Sequence, residues 1–212
     1  MGQVRVELSM SLDGFVAGAD RSLEQPLGAG GEQLHEWVVR LASWRASHGL
    51  EGGETGADDD LFAESLASTR AVVMGRNMFS AGAGPWENDP RADGWWGDDP
   101  PFHAPVFVVT HHRREPVEKT GGTSYTFVTD GVDAAVDRAQ EAAGDGDVLI
   151  AGGADVARQA LAANRVDLLQ LHLVPLLIGG GTRLFADGEP RVLEQAEVVP
   201  SRDVMHLTYR PR

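Results

Sequence analysis

Val4, Val6 and Leu8 alternate with Arg5 and Glu7 ahead of the bend Ser11–Leu12–Asp13–Gly14, which predicts a first strand over Val4 to Met10. Leu34, Trp37, Val38, Leu41 and Trp44 then recur at helical spacing and predict a helix with one buried face. Asp58, Asp59 and Asp60 open a second helical pattern, with apolar-face positions Leu61, Phe62, Ser65 and Leu66. A strand follows over Arg70–Ala71–Val72–Val73–Met74 and ends in Gly75–Arg76, with a short helical piece through Met78 and Phe79.

Residues 81–104 show no period and are rich in Trp and Pro, which predicts an ordered excursion whose tryptophans cover a core edge, a dimer interface or a ligand. Pro105 to Thr110 and Tyr125 to Val128 read as strands, and Val132, Ala135, Val136 and Ala139 as the buried stripe of a helix. Val148 to Ala151 is an apolar strand that ends in Gly152–Gly153 and runs straight into another amphipathic helix. Val166 to Leu177 is a long apolar run broken by Gly179–Gly180–Gly181, and Val192–Val199 with Val204–Tyr209 predicts a closing hairpin. Strands alternating with helices imply an α/β fold with a largely parallel sheet and antiparallel strands at the C-terminus.

A chain of 212 residues without a Ser/Pro-rich linker is expected to form one domain over 1–212. Hydrophobic residues make up 42%, so a sizeable core is available and disorder is not expected. No apolar run approaches ~18 residues, and the first ten residues lack a signal-peptide core, so a cytoplasmic protein is expected. The absence of cysteine removes disulfides, thiolate nucleophiles and Cys-based metal sites, and no metal is expected. A formal charge of −14 argues against nucleic-acid or anionic-membrane partners, so any phosphate must meet a local positive patch. His111–His112–Arg113–Arg114, directly after a strand, is the one dense basic cluster.

Ligands of open α/β sheets collect beyond the carboxyl ends of the strands. Gly152 and Gly153 at such an end let a backbone approach a phosphate, and the following helix offers free amides; a tight turn alone would also explain them. Arg76, Arg113 and Arg114 are cations that suit an adenosine 2′-phosphate, a solvated loop being the other reading for Arg113 and Arg114. His103 and His172 are either hydrogen-bonded core residues or proton donors.

Four runs then fall in order: Ser9–Met10–Ser11–Leu12–Asp13–Gly14–Phe15–Val16–Ala17, Val73–Met74–Gly75–Arg76, Val148–Leu149–Ile150–Ala151–Gly152–Gly153, and Leu171 through Gly181. Together they resemble the dihydrofolate reductase-like superfamily, most closely the reductase domain at the C-terminus of the bifunctional riboflavin-biosynthesis deaminase-reductase. The resemblance implies a three-layer fold and an NADPH-dependent reductase acting on a small heterocyclic substrate, commonly a homodimer. The activity implied is that of a 5-amino-6-(5-phosphoribosylamino)uracil reductase, with dihydrofolate reduction or a non-catalytic NADPH sensor as alternatives. By the same resemblance Gly75, Arg76, Asn77, Thr110, Arg113, Arg114, Gly152, Gly153 and Ala154 line the cofactor. Ser11, Gly14 and Trp86 are the implied substrate contacts, and Asp13, Asp59 and Asp60 the implied catalytic carboxylates. The segment between Ala17 and Ala57 lacks the substrate-phosphate pattern of the riboflavin reductase.

Overall fold

The computed structural model describes residues 2–82, 84–185 and 190–212. Strands β1 (Val4–Ser11) and β2 (Phe15–Ala17) lead into helices α1 (Glu36–Val39), α2 (Ala42–Ser47) and α3 (Ala57–Ser68). Next come β3 (Thr69–Gly75), α4 (Arg76–Ser80), β4 (Pro105–Val109), β5 (Val117–Glu118) and β6 (Ser124–Val128). They are followed by α5 (Val132–Ala143), β7 (Asp147–Gly152), α6 (Ala154–Ala162) and β8 (Leu168–Val174). The last strands are β9 (Thr182–Arg183), β10 (Leu193–Pro200) and β11 (Met205–Pro211). The chain divides into two compact units, the first being Thr69–Val166 with the chain start through Val6, the second Glu7–Ser68 with Asp167–Arg212.

In the first unit the strand order is β1-β7-β3-β4-β6-β5. Every pairing is parallel except β5 on β6. A parallel sheet is covered on both faces, and Ala71 through Gly75 are accordingly all buried. The stripe Val132, Ala135, Val136 and Ala139 turns α5 onto β3 and β4. Val72, Met74, Phe79, Val106, Val108, Tyr125 and Phe127 form the core. Trp86, Trp96 and Phe102 pack against that core. Trp86 lies 4.8 Å from Phe127 and 5.9 Å from Phe79 between ring centroids, both edge-on. Covering a core edge, one of the roles open to the Trp-rich excursion, is thus one these rings perform. Ala83, within that excursion, lies outside the described residues.

In the second unit β10, β11, β8 and β1 follow in that order, with β11 antiparallel to both its neighbours. The predicted hairpin is present, with an irregularity between Gln195 and Glu197. Leu34, Trp37, Val38, Leu41, Val174 and Val204 make the core. The single helix expected over Leu34 to Trp44 is instead a 3-10 turn (Gly31–His35), α1 and α2. Leu41 breaks it, because its backbone is extended (φ −67°, ψ 143°) and bridges to Glu54 while its side chain stays in the core. The two-residue strands β5 and β9 and the three-residue β2 are too short to leave a period in the sequence.

Candidate active site

The carboxyl ends of four parallel strands lie side by side in the first unit. Met74 is opposite Gly152, Gly75 opposite Val109, and Val109 opposite Val128. A Cβ on Gly75 would stand 3.0 Å from Val156 Cγ2 and 3.6 Å from the Gly153 nitrogen, so a side chain there would crowd the start of α6, which glycine leaves close to the end of β3. A Cβ on Gly153 would meet nothing within 4 Å, so the backbone there faces open space. Gly152 takes φ 129°, a conformation glycine tolerates, and the Gly152–Gly153 peptide is cis. Gly153 caps α6 without a side-chain hydrogen bond, and the first amides of a helix have no carbonyl partner within it. Ala154 is buried, while Asp155 in the same turn is tied to Arg158 at 3.3 Å and Gln159 at 2.7 Å. A backbone open to approach and amides at a helix start make a cradle of the kind that suits an anion.

Around the cradle the arginines are unequally free. Arg76 is buried, its Nη2 donating to Asp89 Oδ2 at 2.6 Å and its Nε to Ser80 Oγ at 3.0 Å, with Cζ 3.2 Å from the Trp86 ring centroid. Ser80 Oγ donates to the same Asp89 oxygen at 2.7 Å. Burial pushes the Asp89 carboxyl up, but the hydrogen bonds from Arg76, Ser80 and the Arg91 amide outweigh it and hold the group below its ordinary 3.8. Arg114 donates to Asp93 Oδ1 at 2.6 Å and to the Ala92 carbonyl, and lies over Trp86. Arg113 is exposed and has no ion pair among the described residues. Asn77 is exposed as well. Thr110 is buried, its amide bonded to the Val128 carbonyl at 3.0 Å and its hydroxyl accepting from the His112 amide at 3.2 Å. Trp86 is enclosed by Arg76, Arg114, Phe79 and Phe127, and its indole N–H donates to the His112 carbonyl at 2.8 Å. The ring that the resemblance offers to substrate thus also packs within its own unit.

In the second unit Asp13 is a fastener. Its Oδ1 accepts from Ser11 Oγ at 2.6 Å and the Ile178 amide at 3.1 Å, and its Oδ2 from the Gly179 amide at 2.7 Å. The Ser11 hydroxyl is the main cause that lowers its pKa to about 2, so it stays a carboxylate and does not serve as an acid near neutral pH. Ser11 is fully buried and also accepts from the Phe15 amide at 2.9 Å, and Gly14 turns the loop at φ 85°. Asp59 Oδ1 accepts from the Ser43 amide at 2.8 Å and the Ser43 hydroxyl at 2.5 Å, holding the first turn of α2. Asp60 is exposed. Those two carboxylates are therefore a structural tie and a solvated residue.

A different set of groups converges. Glu7, Asp58, His172 and His206 line up through contacts of 3.1, 2.7 and 3.0 Å, with Ser65 bound to Glu7 at 2.6 Å. His172 and His206 are buried, and Trp37 lies against both rings. A small cavity of about 20 Å³ opens beside them, with Glu7, Ser65, Gln170, His172, His206 and Thr208 on its wall. Burial draws His206 below its ordinary 6.5, the Asp58 hydrogen bond opposing and the nearby His172 adding to the shift. Of this set the sequence singles out His172 alone for chemistry. The available signal for the others was Glu7 and His206, polar residues standing inside strands.

Residues 3–207 match the model of the RibD C-terminal domain. The chain belongs to the RibD C-terminal domain family. A protein of Shewanella sp. PV-4 named for riboflavin biosynthesis superposes with a TM-score of 0.63 at 19% identity, covering 99% of both chains. RibD of Acinetobacter baumannii gives 0.60 at 18% identity, and there the match spans all of this chain but 58% of the other. Dihydrofolate reductase of Enterococcus faecalis, complexed with NADP(H) and RAB-propyl, gives 0.53 at 14% identity over 99% of this chain and 96% of the other. No curated protein matches the sequence. The fold is thus dihydrofolate reductase-like, as the sequence leads one to expect. Membership in the RibD C-terminal domain family makes the protein a reductase that works with a nicotinamide cofactor. Among the described residues no helix is long and apolar enough to cross a membrane.

Proposed function

We propose that the protein is an NADPH-dependent reductase of a small nitrogen heterocycle, of the aminopyrimidine or pteridine class. The observation that carries the dinucleotide half is the backbone at Gly153, open on the side where a Cβ would stand and set between Gly75 and the first amides of α6. In this reading Gly152, Gly153 and Ala154 hold the pyrophosphate, and Gly75 keeps α6 close. Thr110 fixes the turn that carries Arg113, and Arg113, exposed and without an ion pair among the described residues, takes the 2′-phosphate that distinguishes NADPH from NADH. Bound there, the nicotinamide supplies the hydride.

The second unit, taken by itself, carries a polar cavity. Glu7 and Gln170 bring acceptor oxygens to the wall of one cavity, which suits the N–H edge of an amino-substituted ring. Asp13, held ionised by Ser11 and two amides, fixes the loop through Ser11 and Gly14 rather than donating a proton. We further infer a cytoplasmic homodimer, which sedimentation of the purified protein checks.

The test is a titration with NADPH and NADH followed by tryptophan fluorescence, then absorbance of the reduced nicotinamide with aminopyrimidines, pterins and dihydrofolate. Tighter binding of NADPH with oxidation by an aminopyrimidine or pterin supports the proposal. Turnover of dihydrofolate alone makes the protein a dihydrofolate reductase, and binding without turnover of any candidate makes it a sensor.

A further inference from the structure

Glu7 on β1, His172 on β8, His206 on β11 and Asp58 on α3 form an unbroken line. Glu7 Oε1 is 3.1 Å from His172 Nε2, His172 Nδ1 is 2.7 Å from His206 Nδ1, and His206 Nε2 is 3.0 Å from Asp58 Oδ1. The outer carboxylate oxygens are fixed too, Ser65 Oγ donating to Glu7 Oε2 at 2.6 Å and Ser201 Oγ to Asp58 Oδ2 at 2.7 Å.

Each of the three links needs one proton. An ionised carboxylate and an unprotonated ring nitrogen can only accept, so two lone pairs facing at 2.7 Å repel, as do two facing N–H groups. The line therefore closes with three protons, one per link. Two neutral imidazoles bring two of them, and the third is an excess proton shared by the pair. With both carboxylates ionised, the four groups sum to a charge of −1. Sliding a proton along its own link, from His172 to Glu7 or from one Nδ1 to the other, changes neither the count nor the number of links.

We propose that these four side chains are a relay that stores one excess proton and presents it, through Glu7 and His172, to a polar group about the size of a water in the adjoining cavity. The cavity, at about 20 Å³, has room for one such group, and Glu7, Gln170, His172 and Thr208 stand on its wall. Trp37 packs against the pair, with its ring centroid 4.7 Å from that of His172 and 5.1 Å from that of His206. The charged and titratable groups that act on the pair are Glu7, Asp58, Glu197 of β10 on the cavity wall, and His35 in the turn before α1. A second excess proton would set two N–H groups face to face and break the central link. Burial, which lowers the affinity of His206 for a proton, acts in the same direction.

The proton count stands on this geometry alone; its use in turnover rests on the reductase reading. Nitrogen-15 NMR of the full chain with labelled histidine, followed across pH, tests the store. The expected spectrum has Nε2–H on both rings, one proton shared between the two Nδ1 atoms, and a single titration that moves both signals together. In His206→Gln, which keeps a hydrogen-bonding side chain against Asp58, the shared signal is lost and His172 titrates with a displaced midpoint. Two Nδ1 atoms that stay unprotonated at neutral pH, or two independent midpoints in the parent protein, overturn the proposal, and the parent spectrum decides even if the variant does not fold. Once a turned-over substrate is known, His206→Gln is expected to shift the pH profile of kcat while NADPH affinity holds; an unchanged profile overturns delivery to the cavity. A failure to turn over any heterocycle counts against the reductase reading and leaves the NMR result to judge the store.

Discussion

Replacing Arg76 with alanine should unfold the protein far more readily than the loss of a surface charge would. The Arg76 and Asp89 side chains are 9% and 0% exposed, and their ion pair is 2.6 Å long. Removing the guanidinium leaves the Asp89 carboxylate in the core with the Ser80 hydroxyl and the Arg91 amide as its remaining donors. Breaking one side of a buried pair costs about 3–5 kcal/mol, because the other charge stays buried. In a protein of this size each kcal/mol moves the midpoint by about 2–4 °C, so a fall of about 6–20 °C is expected in thermal unfolding. Urea unfolding gives the free energy directly.

Arg76→Met with Asp89→Leu removes both charges and keeps the bulk. A buried pair replaced by apolar groups is close to neutral, so this double variant should be more stable than Arg76→Ala and should lose much less than the sum of its two single changes. A cost below about 1 kcal/mol for Arg76→Ala, the range of exposed pairs, would refute the argument, as would strict additivity in the cycle. The same variant reports on recognition: if Arg76 also reads the 2′-phosphate, the folded fraction loses NADPH more than NADH, and equal loss removes it from that role.

Gly153→Val should leave stability within about 1 kcal/mol, since its Cβ meets nothing in the protein, yet weaken NADPH and NADH alike by more than about tenfold; unchanged affinity in fluorescence titrations would remove the pyrophosphate from this strand end. Arg113→Ala should weaken NADPH while sparing NADH and leave the thermal midpoint unmoved, and a parallel loss of both cofactors would count against it. Stability should fall as pH drops from about 6.5 towards 5, because burial holds His206 and His35 below 6.5 and the unfolded chain then binds protons the folded one refuses. A second fall is expected below 3.8, where Asp89 and Asp13, both lowered by their hydrogen bonds in the folded state, give up the stability they contribute above that value. Thermal midpoints measured across pH check both, and a midpoint that rises on acidification between about pH 6.5 and 5, or below 3.8, contradicts them.

What the sequence made legible was local. The strands β3, β4 and β7 and the helices α5 and α6 carry enough consecutive positions for their period to show, and Gly75 and Gly152–Gly153 act through their own missing Cβ atoms. The helix expected over Leu34 to Trp44 failed for a non-local reason, since the bridge from Leu41 to Glu54 and the core position of the Leu41 side chain outweigh helical spacing. Arg76 has the same history on a shorter scale: a cation at a strand end reads as a phosphate ligand until Asp89, 13 residues on in a segment without period, is found against it. The Trp-rich excursion brings that carboxylate in, and Trp86 covers the pair it makes.

Separation in sequence also hid the proton-sharing line. His172 and His206 are 34 residues apart, Glu7 and His172 165, and Asp58 and His206 148. Three strands, β1, β8 and β11, and the helix α3 bring them together, so no spacing along the chain announces them. What the chain did announce was the cost. A glutamate and two histidines inside half-buried strands lose hydration, and buried polar groups of this kind are retained where they find partners. Asp13 makes the converse point. It sits where a resemblance places a catalytic carboxylate, but its oxygens are occupied by Ser11 and the amides of Ile178 and Gly179, and a group so satisfied holds its charge rather than passing a proton. In this unit proton chemistry belongs to the histidine pair, where a 2.7 Å contact between like atoms leaves one proton shared between two sites of nearly equal kind.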